Sequence, residues 1–276
     1  MTEKSELDLR QRSELLWDDD VRMGRGPKRA FTRDDVVQAA IGLADHDGLA
    51  ALTMQAVARE VGFTAMALYR YFPSKEALID AIVDAAMGTP PASVEPKADW
   101  REETARWARA KRRMLMARPW LAELPFVAAP HGPNWLAWLE GAVDALSGTM
   151  LDANGVFDMM HVLDGYVRGG SDTSIALARA RSRGISDEEW GAAVAADFMR
   201  AIGDPRFPVL SGLLTSPSQS RSASLTSDGG LMDGLDLGYE QGLQRVLDGI
   251  QVYMESRTTE PARAARVARV RGRAKR

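Results

Sequence analysis

The stretch that decides the fold is GFTAMALYRYFPSKEAL, residues 62–78. Gly62 can take the left-handed backbone that ends one helix and turns the chain sharply. Thr64 suits the cap of the next helix, and Pro73-Ser74 restarts the chain as a further one. Leu68 and Phe72 lie four apart and share the inward face of that short helix. Ala65, Met66, Tyr69 and much of Arg70 and Tyr71 are left outside, a face for which a core-filling helix has no use.

The flanking segments repeat the same start and stop grammar. Residues 31–48, FTRDDVVQAAIGLADHDG, place Val36, Val37, Ala40, Ile41 and Ala44 on one helical stripe, with Thr32 as cap and Gly48 as stop. Residues 53–62, TMQAVAREVG, give a second helix capped by Thr53, with Ala56, Val57 and Val61 inside. A fourth helix starts at Ser74 and carries Leu78, Ile82 and Val83 to about Met87. Phe31 with Val36, Leu52 with Val57, and Phe63 with Leu68 each fit an apolar staple across a helix start.

Two short helices joined by Gly62-Phe63-Thr64 make a helix-turn-helix, whose second helix enters the major groove of DNA by its N-terminal residues. The hydroxyls of Tyr69 and Tyr71 can donate to phosphates, and Lys75 can pair with another. The first turn, Ala65-Met66-Ala67, is apolar, so base reading there rests on thymine methyls and close fit. The arm RMGRGPKRAF, residues 22–31, offers Arg25, Lys28 and Arg29 to phosphates or a minor groove. The competing reading of the same Tyr and Met residues is half-buried packing between helices.

At 276 residues, with 45% hydrophobic and 26% charged residues, the chain has room for two ordinary domains with a sizeable core. It has no Cys, which excludes disulfides and thiolate catalysis and fits a cytoplasmic location. The N-terminal segment is acid-rich without an apolar run, so no signal peptide is expected, and no segment is apolar enough to span a membrane. The net charge of −3 is unevenly spread: residues 1–20 hold seven acids and three bases, whereas the last sixteen, PARAARVARVRGRAKR, hold seven bases and no acid. Local basic segments on an acidic protein suit a polyanion met at particular places.

Beyond the Pro-rich break TPPASVEPKADW, residues 89–100, the chain is again periodic. One helix containing Trp107, Met114 and Leu115 runs to Pro119, and another from Pro133 to about Leu151 bears Trp135, Trp138, Leu139, Ala142, Val143 and Leu146. A third, residues 155–180, includes Met159, Val162, Leu163, Tyr166 and Val167. SDEEWGAAVAADFMRAI begins with a Ser cap and early acids. TSPSQSRSASLTSDGG reads as a mobile loop. The last helix, residues 231–254, carries Leu235, Tyr239, Leu243, Val246, Leu247, Ile250 and Tyr253. Its Gly238, Gly242 and Gly249 allow close approach by another helix or mark packing points within the chain. Helices 155–180 and 231–254 from two copies would form a four-helix dimer interface. The five Trp between Trp100 and Trp138 can line a pocket for a lipophilic or aromatic ligand or fill a core; Trp107, Met114, Trp138, His161 and Tyr166 are the ligand candidates.

The segment FTRDDVVQAAIGLADHDGLAALTMQAVAREVGFTAMALYRYFPSKEALIDAIVD closely resembles the N-terminal domain of the tetracycline-repressor (TetR) family of bacterial transcription regulators. RPWLAEL, HGPNWLAWLEGAVDAL, DGYVRGG, DPRFPVLSGLL and LGYEQGLQRVLDGI resemble, more loosely, the C-terminal domain of the tetracycline repressor itself. The resemblance implies a homodimer with two recognition helices in successive major grooves of a palindromic operator. It also implies a small-molecule effector that alters their spacing. It puts Thr64, Ala65 and Met66 near bases and Tyr69, Tyr71 and Lys75 on the backbone; Thr53, Lys28 and Arg29 complete the DNA-facing set. Ala65-Met66-Ala67 departs from relatives, which often carry more polar residues there.

The expected fold is therefore all-α: a helix-turn-helix three-helix DNA-binding domain over 31–88, and a larger helical ligand-binding and dimerisation domain over 98–257. A flexible arm, 1–30, and a basic tail, 258–276, flank them. The sequence contains no G-x-S-x-G, P-loop or G-x-G-x-x-G, so no enzyme and no cofactor are expected. Asp158 and His161 would make only two ligands to a metal, so none is expected. The expected function is that of a ligand-responsive repressor; the alternative is a DNA-binding regulator of the same fold with no small-molecule effector.

Overall fold

The computed structural model describes residues 3–17, 32–92, 99–124, 130–149, 151–216 and 230–273. Among them the regular structure is helical throughout, without a strand, and it divides into two compact units, Met1–Thr149 and Met150–Arg276.

The first unit opens with α1 (Glu3–Trp17), followed by α2 (Arg33–Asp47), α3 (Met54–Glu60), α4 (Ala65–Leu68) and α5 (Lys75–Met87). The expected caps form. Thr32, Thr53, Thr64 and Ser74 each accept a backbone N–H three residues on, and Thr32 and Asp35 close a reciprocal capping box. The five residues predicted to face inward on α2 are all buried. On α3 the buried set is Met54, Val57 and Ala58, whereas Ala56 and Val61 are half-buried. The inward face is thus rotated from the one read in the sequence, because a seven-residue helix offers two comparable apolar stripes. Leu52, Leu68, Phe72, Leu78 and Ile82 complete the core of this small bundle.

The turn after α3 is built by its backbone. Gly62 has φ 76°, and its N–H donates to the Arg59 carbonyl at 3.2 Å, while Phe63 N–H donates to the Ala58 carbonyl at 2.8 Å. These two bonds form the paired closure of a glycine-ended helix. Phe63 is held in that closure and stays 37% exposed.

The N-terminal segment expected as a flexible arm instead holds the fifteen-residue α1 over residues 3–17. Leu9, Arg12, Ser13 and Leu16, at helical spacing, are half-buried, and Asp8, Arg10 and Glu14 face solvent. Only a few apolar residues mark this face, so composition alone favoured a solvated arm. Residues 18–31, including Phe31, lie outside the described residues.

Two further helices, α6 (Trp100–Ala117) and α7 (Pro133–Leu146), complete the first unit. The latter ends five residues before the predicted stop, at Ser147, where Gly148 takes φ 80°. The second unit contains α8 (Ala153–Ser182), α9 (Asp187–Ala201), α10 (Pro208–Leu214) and α11 (Gly230–Arg273). Ser186 and Glu189 form the predicted start of α9 as a second capping box. Tyr239, Leu243, Leu247 and Ile250 form the buried stripe of α11, which packs along α8. Its backbone stays helical through the segment read as a basic tail, to Arg273. Most of the Ser-rich loop, residues 217–229, lies outside the described residues.

Candidate functional site

The four-residue α4 is followed by a hydrogen-bonded turn that carries Tyr69 to Phe72, with Phe72 N–H donating to the Leu68 carbonyl at 2.9 Å. Leu68 and Phe72 are sealed, whereas Met66 is 77% and Tyr69 46% exposed. Ala65 and Tyr71 are half-buried. Thr64 is exposed, and its hydroxyl oxygen accepts the Ala67 N–H at 3.3 Å. Capping uses a lone pair, so its proton remains available to an external acceptor. Lys75, the first residue of α5, is half-buried, and Ser74 caps beneath it by accepting the Ala77 N–H at 3.1 Å. Thr53 is exposed at the start of α3. These residues therefore lie at the starts of three consecutive helices and on the turn after α4, with Thr53, Thr64, Met66 and Tyr69 exposed. Lys28 and Arg29 lie outside the described residues.

The ligand candidates divide between the units. In the first, Trp107 and Trp138 meet edge to face with centroids 6.1 Å apart, and both are buried. Their indole N–H groups are satisfied by backbone: Trp107 donates to the Trp138 carbonyl at 3.0 Å, and Trp138 to the Gly88 carbonyl at 2.9 Å. Met114 is half-buried, two turns along α6 from Trp107 on the same face. Lys111, between them, is buried with its ammonium 4.9 Å from the Trp107 ring centroid. Thr104, one turn before Trp107, is buried, and its hydroxyl has no hydrogen-bond partner among the described residues. In the second unit His161 is exposed, and Tyr166 donates its hydroxyl to the Tyr239 carbonyl.

Several structural residues escaped the sequence reading. Asp84 of α5 is buried and accepts Asn134 N–H at 3.2 Å, Trp135 N–H at 2.8 Å and the Asn134 side-chain amide at 3.1 Å. It caps α7 from another helix, because the residue in the cap position, Gly132, has no side chain. A Cβ on Gly132 would fall within 2.7 Å of both Asp84 carboxylate oxygens. The glycine is thus the space that the carboxylate fills. His131 is half-buried and stacked on Trp135 with centroids 3.7 Å apart, and burial holds its pKa below the ordinary histidine value.

Residues 36–82 match the family model described as bacterial regulatory proteins, tetR family, and residues 92–254 match the tetracyclin repressor-like C-terminal domain. The chain belongs to the TetR family. It is 31% identical over 258 residues to the HTH-type transcriptional repressor DrrR1 of Streptomyces coeruleorubidus, covering 92% of this chain and 90% of that one. A possible TetR family regulator from Streptomyces coelicolor, of known structure, is 26% identical with a TM-score of 0.58, over 80% of this chain and 99% of that one. The same fold occurs in the S. coelicolor TetR-family protein ActR in complex with actinorhodin, at 24% identity and a TM-score of 0.62, over 80% and 95% of the two chains. As a TetR-family member, the protein is a DNA-binding transcriptional regulator with an N-terminal helix-turn-helix and a larger helical C-terminal domain. Among the described residues no helix is long and apolar enough to cross a membrane.

Proposed function

We propose that the protein is a repressor that binds a palindromic operator as a homodimer and is released by a lipophilic or aromatic effector. The observation that carries this reading is the exposed Met66–Tyr69 surface, raised on the Gly62 turn over a sealed Leu68. In this reading Thr64, Ala65 and Met66 approach bases, while Thr53, Tyr69, Tyr71 and Lys75 hold phosphates, joined by Lys28 and Arg29 from the preceding arm. Trp107, Met114, Trp138, His161 and Tyr166 are the effector candidates. ActR, which has this fold and was solved in complex with actinorhodin, supports a ligand-responsive reading. An effector acts by binding better to the conformation whose recognition helices no longer match adjacent grooves.

A homodimer built on α8 and α11 is supported by their outward faces. Phe157 and Val162 on α8, and Leu237 and Val252 on α11, are exposed apolar side chains. A Cβ added at Gly165, Gly169, Gly238 or Gly249 would meet nothing within 4 Å. Gly170 and Gly242, by contrast, are occupied from within the chain by Tyr239 and Tyr166. Of the three glycines read in the last helix, Gly242 is thus a packing point within the chain, while the open space at Gly238 and Gly249 supports close approach by a second copy. Val162, named with Leu163 and Val167 from the periodicity of α8, is exposed whereas those two are buried.

Selecting duplexes with the purified protein from a random-sequence pool supplies the operator for the test. Among a panel of lipophilic aromatic compounds, one is expected to weaken binding to that duplex by roughly 5- to 150-fold. If none does, the reading without an effector prevails, and the burial and satisfied indoles of Trp107 and Trp138 already favour it for those two residues. Lys75→Ala should weaken cognate and unrelated duplexes alike and reduce the salt dependence by about one unit in a titration against salt. A loss confined to the cognate duplex would show instead that Lys75 reads sequence.

A further inference from the structure

The helix α1 lies outside both matched segments, residues 36–82 and 92–254, yet it is bonded to three parts of the first unit. The Arg12 guanidinium donates twice to the Asp80 carboxylate on α5, at 2.6 and 2.9 Å, and the side chains retain only 15% and 10% of their exposure. The Leu15 carbonyl accepts from Arg33, the first residue of α2, at 3.4 Å. The Trp17 indole donates to the His131 carbonyl, just before α7, at 3.2 Å.

One short helix thus grips both ends of the helix-turn-helix bundle and the segment that leads into α7. The bidentate geometry fixes orientation as well as distance, because the planar guanidinium admits one arrangement on a carboxylate. The half-buried stripe Leu9, Arg12, Ser13 and Leu16 lays the helix along α5, and the Trp17 bond at its far end opposes sliding. The helix α5 begins at Ser74-Lys75, directly after the recognition turn, so holding α5 holds the surface that meets DNA.

We propose that α1 is a strap that sets the orientation of the DNA-binding bundle, with Arg12 as a positioning residue for operator recognition. It does so without touching DNA. The proposal rests on the reading of the protein as a dimeric operator-binding regulator. A dimer whose two reading heads are held rigidly discriminates between operators by half-site spacing; a dimer with loosened heads tolerates more than one spacing, because each competent arrangement is only fractionally populated.

The test uses the full-length protein, the duplex selected from the random pool, and a copy with one base pair inserted at its dyad. Wild type should prefer the native spacing. Arg12→Ala should weaken binding to the native duplex by about tenfold while losing less on the lengthened one, so that the preference between them collapses. Arg12→Lys should keep an intermediate preference, because it restores the charge without the paired geometry. If Arg12→Ala does not fold, Trp17→Phe, which removes one donor at the exposed end of the strap, should erode the same preference. A merely structural contact would lower the melting temperature or the active fraction and leave the preference unchanged among active molecules; that result overturns the proposal. Failure of wild type to bind either duplex would instead overturn the operator-binding reading itself.

Discussion

Leu237→Glu combined with Val252→Glu should yield a folded monomer that binds the selected duplex at least about a hundredfold more weakly than wild type. The two side chains are 60% and 64% exposed, so charging them removes nothing from the core of the second unit. In an α8–α11 interface between two copies, each glutamate would be buried without a partner, at several kcal/mol per charge. The loss on DNA follows from linkage between half-sites. Once one head of a dimer is seated, the other acts at an effective concentration that raises overall affinity by roughly 10² to 10⁴. Sedimentation velocity gives the mass and fluorescence anisotropy the affinity. A double variant that stays dimeric would move the interface elsewhere on the surface.

The second large effect belongs to Asp84. Replacing it with Ala leaves the N–H groups of Asn134 and Trp135 without the acceptor that now satisfies both. Each buried orphan costs about 1–3 kcal/mol, so Asp84→Ala should destabilise the first unit by about 3 kcal/mol. At roughly 2–4 °C per kcal/mol, the melting transition should fall by about 6 °C or more. Gly132→Ala should do comparable harm, since the new methyl group displaces the carboxylate. Together, Asp84→Ala and Gly132→Ser should recover part of the loss, because Ser at the cap position can serve its own helix once the carboxylate is gone. Thermal melts followed by circular dichroism decide the matter: an unchanged transition in Asp84→Ala would show that water replaces the carboxylate at little cost.

Legibility in the sequence followed the range of the interactions involved. Thr32, Thr53, Thr64 and Ser74 were readable as caps because a cap bonds three residues away. The inward stripe of α2 was readable because fifteen residues of helix average out the noise of any single position. Asp84 was not, since its partners lie 50 and 51 residues further along and nothing local distinguishes it from Asp80. The strap α1 was hidden for a related reason: its decisive contact, Arg12 with Asp80, spans 68 residues, and its neighbours are mostly charged. Val162 shows a third limit. The thirty-residue α8 has an inner and an outer apolar face, and periodicity marks both alike. For the DNA-facing surface, the exposure of Met66 and Tyr69 was legible because Leu68 and Phe72 claim the only inward face that so short a helix has.

The absence of any native Cys makes one measurement especially direct. Met66→Cys carries a unique thiol at the centre of the exposed surface, and a short photocrosslinker attached there samples what lies against α4. With the selected duplex bound, the account predicts crosslinks to major-groove bases at two symmetric positions, one in each half-site. Binding that leaves the probe uncrosslinked to DNA, or attached only to protein, would contradict it.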